Sequence, residues 1–320
     1  VTADWYRKNT KDWLVQAPIL SSFGAGAPYI NGGAIRNQGF ELSAGWNDQV
    51  GDFYYGANVN MSFNKNKITR IDNSEGIIRG WNEVFVAGGT EIYRAEVGKP
   101  IGYFYGYKTL GVFQNQEQID NYKGAKLPGV VPGDVIYADV NNDGIIDVSD
   151  RTDIGDPNPD MTMGLSVNLG YKGFDLGITA NGVFGNQIAT CLRTPGKPYG
   201  NLASEYWENR WHGEGTSNRF PRITYELSNS WLNYSDIYIE DGNYLRIQNI
   251  TVGYDFKRLF PSVPLQQARL YVTGQNLFTI TGYYGADPEI GFANESWAKG
   301  VDVGFYSAPK SVLFGVNLKF

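Results

Sequence analysis

The last ten residues, Ser311 to Phe320, alternate almost without a break and end on an aromatic. Val312, Phe314, Val316, Leu318 and Phe320 take one phase, and Leu313, Gly315, Asn317 and Lys319 take the other. A period of two sends successive side chains to opposite faces, so this segment reads as a strand with one apolar and one mainly polar face. Two all-β architectures use such a strand. A soluble β-sandwich buries the apolar face in its core. A transmembrane antiparallel β-barrel turns that face to lipid and the polar face to its lumen.

The pattern recurs along the chain. Phe40, Leu42, Ala44 and Trp46 alternate with Glu41, Ser43 and Gly45, and after a turn expected over Asn47–Asp52 the phase resumes at Phe53, Tyr55, Ala57, Val59, Met61 and Phe63. A second hairpin places Met161, Met163, Leu165, Val167, Leu169 and Tyr171 on one face, turns at Lys172-Gly173, and continues with Phe174, Leu176, Ile178 and Ala180. Each arm has about ten residues, the length a tilted strand needs to cross a bilayer. The opposite face is small as well as polar, with Gly, Ser, Thr and Asn recurring, while aromatics gather near the ends of the apolar face. A small polar lumen and aromatic girdles are barrel properties.

Loop lengths point the same way. Strands are expected near 1–9, 36–47, 53–64, 160–171, 174–185, 243–255, 268–280 and 309–320. Short turns at 47–52 and 172–173, and a moderate one near 256–267, then alternate with long insertions at roughly 10–35, 65–160, 187–241 and 281–308. Short periplasmic turns opposite long external loops are the asymmetry of outer-membrane barrels, and the parity leaves Phe320 on the short-turn side. The insertions hold candidate strands of their own, notably Ile101–Phe113 and Trp231–Glu240. In Tyr244–Tyr254 the apolar phase shifts from Leu245 and Ile247 to Ile250, Val252 and Tyr254, which predicts a β-bulge near Gln248-Asn249.

Composition excludes several classes. Across 320 residues, 27 Lys and Arg against 33 Asp and Glu leave a net charge of −6, with no basic patch to attract nucleic acid. Cys191 is the single cysteine, so no internal disulfide framework exists. The negative mean hydropathy argues against a helical membrane protein and leaves a barrel open, because barrel strands are only half apolar. No charged start and apolar run opens the sequence, which reads as a mature form or a fragment.

One segment carries a clear chemical motif. Asp139-Val140-Asn141-Asn142-Asp143-Gly144-Ile145-Ile146-Asp147-Val148-Ser149-Asp150 fits the twelve-position calcium loop, with Asp139, Asn141, Asp143, Asp147 and Asp150 as side-chain ligands and Ile145 offering its carbonyl. Asp150 stands where Glu is usual. No helix-forming sequence precedes the loop, so the expectation is a structural calcium site inside an external loop at 139–150, not a full EF-hand; an Asn/Asp-rich turn without metal is the simpler alternative. His212 has no partner for a zinc site, and the carboxylate pairs Asp236 with Glu240 and Asp287 with Glu289 read as ordinary surface acidity. No enzyme is indicated. Tyr103, Tyr105, Tyr107, Trp207, Trp211, Trp231 and Tyr234 are candidate substrate-binding aromatics, since flat rings suit sugar faces; packing of the loops on one another is the competing reading.

These residues together resemble the SusC/RagA family of TonB-linked (TonB-dependent) outer-membrane receptors of Bacteroidota. The likeness rests on Asp4-Trp5-Tyr6-Arg7-Lys8-Asn9-Thr10-Lys11-Asp12, on Asn31-Gly32-Gly33-Ala34-Ile35-Arg36-Asn37-Gln38-Gly39-Phe40-Glu41-Leu42, and on Val97-Gly98-Lys99-Pro100-Ile101-Gly102 through Gly111-Val112-Phe113. It continues through Gly133-Asp134, Arg151 to Asp160, Tyr244-Leu245-Arg246-Ile247-Gln248-Asn249 and Gly274-Gln275-Asn276-Leu277-Phe278. The resemblance implies a barrel of about 22 strands with an N-terminal plug, of which residues 1–320 supply the C-terminal part, without the plug and first strands. It further implies import of oligosaccharides or peptides beneath a SusD-like lipoprotein, driven by TonB-ExbB-ExbD acting on the plug, with Phe314, Val316, Leu318 and Phe320 as the barrel-assembly signal. A secreted, calcium-stabilised β-sandwich that binds carbohydrate is the alternative from the residue pattern alone.

Overall fold

A computed structural model describes residues 1–16, 29–73, 75–86, 89–192, 201–224, 228–291 and 297–320. The segments 17–28 and 193–200, within two of the expected insertions, lie outside the described residues, as do 74, 87–88, 225–227 and 292–296.

Eight strands form one antiparallel sheet: β1 (Thr2–Gln16), β2 (Tyr29–Val50), β3 (Phe53–Ile71), β4 (Met161–Tyr171), β5 (Phe174–Phe184), β6 (Tyr244–Asp255), β7 (Gln267–Thr281) and β8 (Ser311–Lys319). They pair in chain order, with β1 and β8 at the two edges. All eight expected strands are present, several longer than their period-two cores. The turn expected over Asn47–Asp52 is shorter than that: β2 runs to Val50 and β3 starts at Phe53. Gly51 at φ +60° and the Lys172-Gly173 pair at +46° and +92° supply the left-handed backbone that two-residue hairpins require.

The register explains the sheet's two faces, because cross-strand partners point the same way. One outward row reads Val50, Phe53, Tyr171, Phe174, Tyr254, Leu270 and Val316 across seven strands. The next outward row ends Leu169, Leu176, Val252, Val272 and Phe314. Between them runs an inward row of Gln49, Tyr54, Gly170, Asp175, Gly253, Tyr271 and Gly315. The outward residues stay open: Phe314 is 80% and Phe320 82% exposed, and Trp5, Trp46, Val312 and Val316 are exposed too. A sandwich would cover this face with a second sheet; here the apolar band has no such layer among the described residues. The fold is all-β and barrel-like. No helix among the described residues is long and apolar enough to cross a membrane.

The phase shift in β6 is a bulge. Between Ile247 and Asn249 the pairing to β7 skips Gln248, and the pairing to β5 slips at the same place. The extra residue lets Leu245 and Ile247 share the outward face with Ile250, Val252 and Tyr254.

Hydrophobic residues that are buried lie mostly in the loops. The long connections after β3, β5 and β7 leave from one end of the sheet and pack on one another around Tyr206, Trp231, Tyr238, Phe104, Ile237 and Val301. Small sheets brace this layer: 77–79, 93–96, 103–107 and 151–155 form one, and 187–190, 239–241 and 301–302 another. The expected strand Ile101–Phe113 is two short strands, Tyr103–Tyr107 and Thr109–Val112, in different sheets. The expected strand Trp231–Glu240 is mostly not one: a helical turn covers Asn229–Leu232, a 3-10 turn Asp236–Tyr238, and only Ile239–Asp241 is extended.

Candidate functional site

The inward face of the sheet is a hydrogen-bonding surface. Ser43 donates to Asn60 at 2.7 Å, Asn249 donates to Thr179 at 3.1 Å, and the Thr251 and Thr273 hydroxyls meet at 2.8 Å. Asp4, Glu41, Ser43, Asn60, Ser62 and Thr162 line a concavity of about 270 Å³. Strand pleating places them there: each is a cross-strand neighbour of another in the set. Short side chains on this face keep space above it, while amides, hydroxyls and carboxylates offer donors and acceptors to a polar solute.

At the loop end of this face Arg246 is almost fully buried, 4% exposed. Its guanidinium pairs with Asp287, reaches Glu289 at 2.7 Å and donates to the Thr279 hydroxyl at 3.1 Å. The Asp287–Glu289 pair is therefore engaged with a cation and not free for acid–base work.

A second polar cleft, about 430 Å³, lies in the loop layer and includes Lys108, Thr109, Arg219, Asp236 and Glu240 in its lining. Asp236 accepts from the Thr109 backbone at 3.1 Å and hydroxyl at 2.6 Å, and pairs with Lys108 at 3.1 Å. Glu240 pairs with Arg219 at 2.7 Å; burial raises its pKa against the pull of that guanidinium. Lys108 with Asp236 and Arg219 with Glu240 are matched pairs, and Asp241, which accepts the Asn243 N–H at 2.9 Å, adds a further carboxylate to the lining.

The candidate aromatics divide. Tyr103, Tyr107, Trp231 and Tyr234 are buried, Trp231 to 2% exposure, so they pack the loop layer and are not surface platforms. Trp231 meets Tyr206 edge-on with ring centres 5.6 Å apart, and Tyr234 stacks on Tyr238. Tyr103 donates to Glu96 at 2.5 Å. Tyr105 is part-buried between two guanidiniums, Arg94 at 3.4 Å and Arg151 at 4.6 Å from its ring centre. Trp207 stays 55% exposed with Arg210 stacked on it at 3.7 Å. Trp211 is part-buried and donates to Gln114 at 3.3 Å. Of the set, Trp207 is exposed, and Tyr105 and Trp211 are part-buried. Sequence reasoning missed Arg246; the available signal was one arginine inside the otherwise uncharged stretch Tyr244–Tyr254.

The segment 139–150 forms a tight loop closed by its own acids. Asp139 accepts the Asp143 and Gly144 N–H groups at 3.1 and 2.9 Å, and Asp143 accepts that of Ile145 at 2.9 Å. Asp150, fully buried, accepts Val140 N–H at 2.8 Å and Asp147 N–H at 2.9 Å. The Ser149 hydroxyl and N–H hold the Asp147 carboxyl below the usual carboxylate range. Asn141 donates to Asp143 and Ser149 at 2.8 and 2.7 Å. Among the described residues, no group of three or more His, Cys, Asp or Glu side chains converges as for a metal ion.

Comparison with known proteins covers nearly every residue. The chain is 33% identical to TonB-dependent receptor P3 of Formosa agariphila over 99% of its own length and 32% of that receptor's. It is 27% identical to TonB-dependent receptor SusC of Bacteroides thetaiotaomicron, again over 99% of this chain and 30% of SusC. Among solved structures, the RagAB peptide importer in its closed-closed state matches with a TM-score of 0.73 and 22% identity, over 99% of this chain and 33% of the importer chain. The open-open state of the same importer gives 0.72 and 20%, over 99% and 32%. No family model matches. The chain spans about a third of the length of the curated relatives it matches.

Proposed function

We propose, from a chain that is SusC/RagA-like over its whole length, that it forms part of the wall and external loops of a TonB-dependent nutrient importer in the outer membrane. The observation that carries this is the sheet itself: an uncovered apolar band outside, a hydrogen-bonding face inside, short turns at one end and a packed loop layer at the other. The edges β1 and β8 are where further strands would pair to close a barrel of about 22.

The imported solute is an oligosaccharide or a peptide, held first by Tyr105, Trp207 and Trp211 and the loop cleft, then passed along the polar face. Both solute classes present amides or hydroxyls to that face and apolar edges to the rings. The loop layer would be covered by a SusD-like lipoprotein, and TonB-ExbB-ExbD would act through a plug elsewhere in the protein. Phe314, Val316, Leu318 and Phe320, open at the end of the last strand, would serve as the assembly signal. The loop at 139–150 would bind calcium, since each carboxylate oxygen that accepts an N–H keeps a second lone pair for a cation.

Deleting the gene tests the transport reading. It should remove a protein of the outer-membrane fraction that migrates faster unboiled than boiled, and with it uptake of a labelled peptide or oligosaccharide. Loss of TonB should mimic the uptake defect. A product found in the soluble fraction, or uptake indifferent to both deletions, would overturn it.

A further inference from the structure

The outward face is not uniform. Near the short-turn end a groove of about 450 Å³ crosses β5 to β8, lined in part by Phe174, Val252, Tyr254, Leu270, Val272 and Phe314. The register accounts for its shape. Aromatic side chains stand on β5, β6 and β8, while the smaller Val252, Leu270 and Val272 lie between them. Phe174 and Tyr254 have ring centres 4.4 Å apart, and Phe256 meets Tyr254 edge-on at 5.1 Å.

Beyond the lining residues, at the short-turn end, stands Arg258. Arg258 follows Tyr254 by one turn of chain and is exposed, and among the described residues it has no ion-pair partner. A Cβ on Gly173 would lie 3.1 Å from both the Arg258 Cδ and the Tyr254 ring, so the guanidinium stem rests beside the groove's aromatic wall. The neighbouring cations are engaged: Lys172 lies 3.9 Å from Asp52, Lys257 caps the Pro261 and Val263 carbonyls, and Arg269 pairs with Asp175. Among the described residues, Arg258 thus has neither an ion-pair nor a side-chain hydrogen-bond partner at this end.

We propose that this groove is a specific phospholipid site, with an acyl chain along Val252 and Val272 and the phosphate on Arg258. The proposal rests on the membrane reading above and goes beyond it, because a general lipid belt needs neither a groove nor a free cation. Charge complementarity selects the occupant: a long apolar body with an anionic head fits an apolar trough that ends beside a guanidinium.

The test uses the full-length receptor purified in detergent and exchanged with dioleoyl phosphatidylglycerol, with retained lipid counted by native mass spectrometry. One lipid should survive delipidation. Arg258→Gln should weaken its retention by about tenfold, as loss of a charge-assisted hydrogen bond does. Val272→Trp, which fills the trough from an outward position, should abolish retention, while Val59→Trp elsewhere on the outward face should not. Equal retention by all three variants, or none by the unmodified receptor, overturns the site while leaving the barrel standing, provided each protein still shifts on boiling. A receptor that shows no such shift and needs no detergent would overturn the membrane reading, and the site with it.

Discussion

Arg246 and Asp287 form a buried ion pair that ties the bulged sixth strand to the loop following Thr281. Asp287 also accepts the backbone N–H of Glu289 at 2.9 Å and of Ala308 at 3.1 Å, so a single carboxylate gathers two loop segments onto a guanidinium fixed in the sheet. Arg246 lies two residues before the bulge at Gln248.

Asp287→Asn should release that loop. Removing one partner of a buried pair costs about 3–5 kcal/mol, and the low end applies here because Glu289 remains beside the guanidinium. Hydrogen exchange at the Glu289 and Ala308 amides should accelerate more than a hundredfold, with the β4–β5 amides unaffected. Unchanged exchange at those two amides would show that the pair does not hold the loop.

The buried and open tryptophans should behave oppositely. Trp231→Ala removes a ring whose Nε1 donates to the Arg222 carbonyl at 2.9 Å and which packs on Tyr206 and Tyr238. Thermal unfolding of the loop layer should report a loss of about 3–5 kcal/mol. Trp207→Ala should change stability by no more than about 0.5 kcal/mol and lower solute affinity instead. If Trp231→Ala is tolerated while Trp207→Ala unfolds the loops, the division of roles is reversed.

Calcium should protect the segment Asp139–Asp150 from limited proteolysis, and Asp139→Ala or a chelator should remove that protection. Cleavage at one rate with and without calcium would mean that the loop's own hydrogen bonds are sufficient. The acid limit has a sign of its own. Ser149 lowers the Asp147 pKa beneath the ordinary 3.8. Its cap therefore contributes fully above that value and is lost only as pH falls through the lowered one.

The sheet was legible in the sequence because a strand with one apolar and one polar face must alternate with a period of two, as in Phe53–Phe63 and Met161–Tyr171. Where the strands run on past the apolar band the alternation weakens and reports less: β2 starts at Tyr29, before the alternation that predicts it, and β3 runs on to Ile71. The bulge was readable from the same rule, since only an inserted residue reconciles Ile247 with Ile250 on one face. The loop layer was not. Trp231, Tyr234, Ile237 and Tyr238 converge on one core from a helical turn, the link that follows it and a 3-10 turn, and no single period describes them. Composition identified these rings as notable; only packing shows that four of the seven candidates are interior.

The most direct measurement is a cysteine scan along the final strand, from Val312 to Leu318, in outer-membrane vesicles holding the full-length receptor. Cys191 is part-buried against the loop core and burial pushes its thiol up, which keeps background labelling low. Cysteines at 312, 314, 316 and 318 should react with a lipid-soluble maleimide and resist a charged one, while those at 313, 315 and 317 should show the reverse. Labelling that ignores this alternation would contradict a strand with one face to lipid and the other to a polar lumen.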